Sequence, residues 1–171
     1  MEPTLINGIP AHPLLVHAVV VLVPLTALCL VACAAWPPVM RRFGPALPAL
    51  ALVSLVSVPL ATSAGEWLEE RVEETALVER HAELGGGLLP WVIGLFVTSV
   101  LVWFVYCRSS LSTRSPATTE TLAPARPVTA VWVVAIVLAV VTAVGAVVQV
   151  YRIGDSGAES VWQGSFRTTG D

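Results

Sequence analysis

Four apolar runs constrain this chain more than any other feature. They are Leu14 to Trp36, Ala46 to Gly65, Leu88 to Cys107 and Val128 to Tyr151, and none contains Asp, Glu, Lys or Arg. Each has 20 to 24 residues, and about 20 helical residues cross a hydrocarbon core of about 30 Å. Lipid offers no partner to backbone N–H and C=O groups, so spans of this kind satisfy themselves as α-helices. The connections are too short to hold a further domain. The predicted fold is therefore all-α, an integral membrane four-helix bundle forming a single membrane domain over residues 1–171. The first run has no basic residue before it, exceeds an ordinary signal-peptide core and is followed by no small-x-small cleavage site. It is expected to stay as a span.

Composition narrows the function classes. Of the 171 residues, 56% are hydrophobic and 12% are charged, against about 25% charged in soluble domains. The mean hydropathy is +0.79. These values exclude a disordered chain and argue against an ordinary soluble enzyme. The net charge of −3 provides no basic patch for nucleic acid. All nine basic residues are Arg, which hints at a GC-rich bacterial genome. Three Cys are too few for a disulfide scaffold.

Arg placement gives an orientation. Arg41, Arg42, Arg108, Arg114 and Arg126 fall on one side of the bundle, and Arg71, Arg80, Arg152 and Arg167 on the other. Five against four places both termini outside by the positive-inside rule. Trp36, Trp103, Tyr106 and Trp132 fall near the inner interface, and Trp67, Trp91 and Tyr151 near the outer one. Pro13, Pro45, Pro90 and Pro127 lie at or near helix starts, where a missing N–H costs nothing. Pro24, Pro48 and Pro59 lie within spans and are expected to kink them. Ala135, Ala139 and Ala143 form a small-residue ridge on span four, and span two carries Ser54, Ser57, Ala61 and Ala64. Residues 108–127, rich in Ser, Thr and Pro, read as a flexible inner loop. Residues 66–84 lack Pro and Gly and read as one extramembrane helix between spans two and three, returning at Gly85-Gly86-Gly87. Its seven Glu read as a solvated face or as a site for a cation or partner.

The three histidines carry most of the chemical interest. His12 precedes Pro13 and is expected just outside the first helix. His17 lies about one turn inside it, and His81 just before span three. A polar side chain inside a span is a functional candidate. An imidazole can bind a metal or haem iron through one nitrogen while the other is held by a neighbouring acceptor. His17 and His81 are expected to face each other across the bundle. His12 and His17 stand about 140° apart on an ideal helix, so one cofactor does not use both. The plainer reading leaves His17 bonded to a neighbouring carbonyl or hydroxyl and His81 solvated. Cys29, Cys33 and Cys107 lie in the opposite half and read as small hydrophobes. Gly154-Asp155-Ser156-Gly157 resembles a serine-protease motif, but that chemistry needs a β-barrel, a base and an orienting acid. The glycines are expected instead to end the fourth helix, with Ala158 to Trp162 lying on the membrane surface.

Together these residues resemble the DUF2231 family of predicted bacterial membrane proteins. The resemblance rests on His12-Pro13-Leu14-Leu15-Val16-His17, on Ala61-Thr62-Ser63-Ala64-Gly65, on His81, and on Arg152 to Trp162, and it runs from about residue 8 to 162. It implies redox work at a bacterial inner membrane, because relatives are fused to Rieske-type or cytochrome c modules. Such proteins are then the implied partners, beside the lipid bilayer. It also implies a b-type haem, with His17 and His81 as ligands and His12 as alternate. Arg71, Arg80 or Arg152 would pair with the propionates. Many relatives carry His where this chain has Asp155, which puts a four-histidine site in doubt here.

Two other functions compete with the haem-binding electron carrier. One is a non-catalytic membrane subunit or assembly factor, motivated by the absence of span carboxylates and of a recognisable active site. The other is an outer-face copper or zinc site built from His12, His17, His81 and Asp155. No residue is assigned a catalytic role, and the chain reads as a non-enzyme rather than an enzyme. A transporter fits less well, because midplane acids are missing.

Overall fold

A computed structural model describes residues 5–6, 8–73, 75–112 and 126–162. Two short strands, β1 (Leu5–Ile6) and β2 (Ile9–Pro10), pair antiparallel ahead of six helices. Gly8 turns between them at φ +80°, a conformation open to glycine. The helices are α1 (Ala11–Ala35), α2 (Pro37–Phe43), α3 (Ala46–Glu69), α4 (Ala76–Gly86), α5 (Leu89–Ser112) and α6 (Arg126–Trp162).

Four stretches are long and apolar enough to cross a membrane: Ala11–Ala35, Ala46–Glu69, Ala76–Ser110 and Ala130–Trp162. Within the third, the apolar part is α5, whereas α4 carries Glu79, Arg80 and Glu83. Only 22% to 39% of each apolar window is buried inside the bundle. The rest presents Val and Leu outward, a surface that acyl chains solvate and water does not. The chain is thus a multi-pass membrane protein that contacts the bilayer.

Spans adjacent in sequence are adjacent in space. The helices α1, α3, α5 and α6 form a ring in that order, closed by α6 against α1. Ala135, Ala139 and Ala143 are buried, and Ala146 extends the same ridge. Such small side chains let helix backbones approach closely where hydrophobic exclusion gives no drive. Gly145 takes this furthest, because the ring of Trp91 occupies the space its Cβ would need. The buried hydroxyls of Thr26 and Ser54 bond each other across α1 and α3 at 2.7 Å, and Ser54 Oγ also lies 3.1 Å from the Leu50 carbonyl of its own helix.

Several expectations need correction. The fourth helix does not end at its glycines: α6 runs 37 residues, unbroken through Gly154 and Gly157 to Trp162. At 1.5 Å per residue that is about 56 Å, longer than a hydrocarbon core of about 30 Å, and Ala158 to Trp162 continue the helix axis rather than folding back. Residues 66–84 are not one helix. The second span continues to Glu69, and α4 starts afresh at Ala76, with the Thr75 hydroxyl accepting from the Val78 amide. His12 is not outside α1 but in its first turn, where Pro13, which has no N–H, leaves no donor unpaired. Pro48 lies in the first turn of α3, so only Pro24 and Pro59 are interior. Of the expected inner loop, residues 108–112 belong to α5 and residues 126–127 to α6. Residues 113–125 lie outside the described residues.

Candidate functional site

The end of the bundle that carries the start of α1 also gathers the end of α3, all of α4 and the last turns of α6. Two histidines meet there. The ring centroids of His12, on α1, and His81, on α4, lie 6.3 Å apart with their planes at 87°. Both rings line one cavity of about 60 Å³.

The protons on these rings follow from their partners. His12 Nδ1 lies 2.9 Å from the Ala61 carbonyl oxygen on α3. A carbonyl only accepts, so Nδ1 carries the hydrogen. His81 Nδ1 lies 3.1 Å from Ser156 Oγ on α6, and that hydroxyl donates its one proton to the Ile153 carbonyl at 3.0 Å. Ser156 therefore accepts from His81, and Nδ1 is again the protonated nitrogen. In each ring Nε2 takes no part in these bonds. Burial, and then the neighbouring His12, push the His81 pKa below its ordinary value, against an opposing pull from the Ile153 carbonyl. Burial thus favours the neutral form of the His81 ring.

Two glycines make room for the rings. A Cβ on Gly65 would stand 2.9 Å from His12 Cε1, and one on Gly157 would stand 3.0 Å from His81 Cε1. The cap is also tied by Gln149, a buried side chain on α6 whose Nε2 donates to the Leu84 carbonyl at 2.7 Å. Gln149, Ser156, Gly65 and Gly157 were not singled out as site residues. An amide inside a span was a visible signal for Gln149. Ser156 and Gly157 stand in the protease-like tetrapeptide and Gly65 closes Ala61-Thr62-Ser63-Ala64-Gly65, but neither pattern points to a histidine partner.

The remaining candidates lie elsewhere or are already engaged. His17 is exposed, and its Nδ1 donates to the Pro13 carbonyl of its own helix at 2.6 Å. It is the plainer reading that describes His17, while His12 takes the place opposite His81. Asp155 is exposed beside a groove between α1 and α6. The Arg71 guanidinium stacks 3.9 Å over the Trp67 ring and bonds the Trp67 carbonyl. Arg80 pairs with Glu159 at 3.4 Å, linking α4 to α6, and Arg152 is exposed on α6. Cys33 is buried in the core, and Cys29 and Cys107 are half-buried free thiols. The protease-like tetrapeptide is part of α6.

Among the described residues, no group of three or more His, Cys, Asp or Glu is placed to hold a metal. Among the described residues the site therefore offers two imidazoles. Small-molecule pockets usually run to about 300–1,000 Å³. The cavity of about 60 Å³ takes an ion or a few light atoms, and a porphyrin would require the helices to part.

The comparisons with known proteins agree with the architecture. No curated protein and no solved structure matches the chain. The family of predicted membrane proteins DUF2231 matches residues 8–170. With four apolar helices packed as one bundle and a match over nearly its whole length, the chain belongs to the DUF2231 family of predicted membrane proteins.

Proposed function

We propose that this membrane protein binds one copper or zinc ion between His12 and His81. The observation that carries the reading is the shared geometry of the two rings. Each donates Nδ1–H to an oxygen on another helix, and both rings line one cavity. Metal-binding histidines are commonly held in this way, because the outer bond sets the tautomer and raises the basicity of the ligating nitrogen. Imidazole suits copper and zinc. Copper would make the protein a redox component, and Rieske or cytochrome-type partners enter the proposal only with a metal that changes oxidation state. By the Arg asymmetry, this end and both termini face outside. A membrane-impermeant reagent that labels Ala158→Cys in intact cells supports that side, and labelling only after lysis reverses it.

The test is metal content and absorption of detergent-purified protein, wild type beside His12→Ala, His81→Ala and His17→Ala. About one copper or zinc per chain is expected, lost in the first two variants and retained in His17→Ala. Less than about one-tenth of a metal per chain overturns the reading, since folded holo-sites retain their ion through gentle purification. A Soret band that sharpens on dithionite reduction would put a haem in place of the ion.

A further inference from the structure

The cavity beside the histidine pair has a wall of unusual chemistry. Most of it is aliphatic, with Val16, Val19, Val20, Val58 and Val150 among the lining residues. The Thr62 hydroxyl, also in the lining, lies 3.2 Å and 3.0 Å from the Val58 and Pro59 carbonyls of its own helix, and donates back to that backbone. The other polar side chains in the lining are the two imidazoles, whose Nδ1–H groups are engaged by Ala61 and Ser156. The rest of the wall is aliphatic, and apolar cavities take up xenon. The volume of about 60 Å³ suits a guest of two or three heavy atoms, since a liquid water molecule takes about 30 Å³.

The cavity also has a neighbour on the lipid side. A groove along the α1–α6 seam, lined by Pro24, Val147 and Tyr151 among others, shares Val20 and Val150 with it. Val20 and Val147 are each 42% exposed on the faces of spans. Apolar solutes concentrate among acyl chains because leaving water is favourable. We infer that the cavity takes up a small, neutral, apolar molecule of diatomic size from the bilayer through the α1–α6 seam, and holds it against His12 and His81. Dioxygen, carbon monoxide and nitric oxide belong to this class. Entry of the guest stands on the cavity alone; its coordination to a metal rests on the function proposed above.

Xenon tests the entry in metal-free, full-length protein in lipid nanodiscs, read by NMR of valine methyl groups. Saturable shifts are expected at Val16, Val19 and Val58, with only linear shifts at the lipid-facing Val134 and Val141. Val20→Phe and Val16→Phe, checked for folding by circular dichroism, should each weaken xenon binding at least tenfold. Linear shifts at every valine, or saturable shifts untouched by both variants, overturn the inference. The copper(I)-loaded protein with carbon monoxide tests the second step. A single C–O stretch is expected, lost in Val20→Phe with copper content unchanged. Xenon uptake without retention of either copper or zinc would sink the metal reading and leave the guest class standing. Copper retention without xenon or carbon monoxide uptake would sink this inference and leave the metal.

Discussion

The middle of the bundle and its histidine end are held by different physics. In the middle, α6 presents Ala135, Ala139 and Ala143, and α1 answers with buried Val23, Ala27 and Leu30. One described pair of polar side chains crosses between helices there, and Thr26 and Ser54 satisfy each other. At the histidine end the contacts between elements are polar and directional: His12 to Ala61, His81 to Ser156, Gln149 to Leu84 and Arg80 to Glu159. Lipid gives the middle no hydrophobic drive, so close packing of small side chains holds it. The end reaches the interface, where a helix as polar as α4 has few apolar contacts to offer and is anchored by hydrogen bonds instead. The middle is therefore sensitive to added volume, and the end to lost donors and acceptors.

Gly145→Ala breaks the comparison hardest. Its methyl group enters the space of the Trp91 ring, and overpacking a filled interface costs about 1–3 kcal/mol. A thermal melt in detergent should show the loss, and an unchanged melt would mean that Trp91 swings away freely. Ser156→Ala should weaken copper or zinc binding about tenfold, the lower end of the effect of removing an outer-shell partner. Its melt should move less than that of Gly145→Ala. Equal loss in metal titrations of Ser156→Ala and Arg80→Ala would show that Ser156 only docks α4.

Acidification acts on the same end. Because the folded-state pKa of His81 is depressed, the unfolded state binds more protons between that value and about 6.5. Stability is then full above about pH 6.5 and is lost as pH falls to the folded pKa. Hydrogen exchange of α4 amides in metal-free protein should quicken over that window, and His81→Gln should flatten the response. A wild-type profile that is flat from pH 7.5 to 5 would contradict the depressed pKa. Thr26→Val should cost least, about 0.6 kcal/mol, the mean for hydrogen bonds between membrane helices. A loss above about 2 kcal/mol in the melt would mean that the middle depends on polar contacts after all.

Much of the fold was legible because membrane residence is a local property. Runs of 20 to 24 residues without charge locate a span wherever they occur. The alanine ridge was equally plain, since a repeat of four residues puts side chains on one helix face. The helix through Gly154 and Gly157 was not legible. Glycine away from a helix end is locally unfavourable, and contact with the His81 ring, 76 positions earlier in the chain, is what makes a missing Cβ useful at Gly157. The break near residue 70 was hidden by uniformly good helix formers, although Thr75 was a capping residue in plain view. The short hairpin before α1 turns at Gly8, and an Asn-Gly pair is a strong hairpin signal in a sequence.

The histidines show where sequence stops and tertiary structure begins. By itself the chain determined its solvent, its four spans and the end of the bundle where all three imidazoles gather, because hydrophobicity and helix rise add up residue by residue. Which two imidazoles meet was decided by how α1 and α4 are set against α3 and α6. His12 is bonded 49 positions away and His81 75 positions away, whereas His17 is spent on its own helix four positions back. Helical spacing separates His12 from His17 but does not say which of them faces the partner helices. That choice belongs to the rotation of each helix about its axis, which is set by the packing of all four spans together.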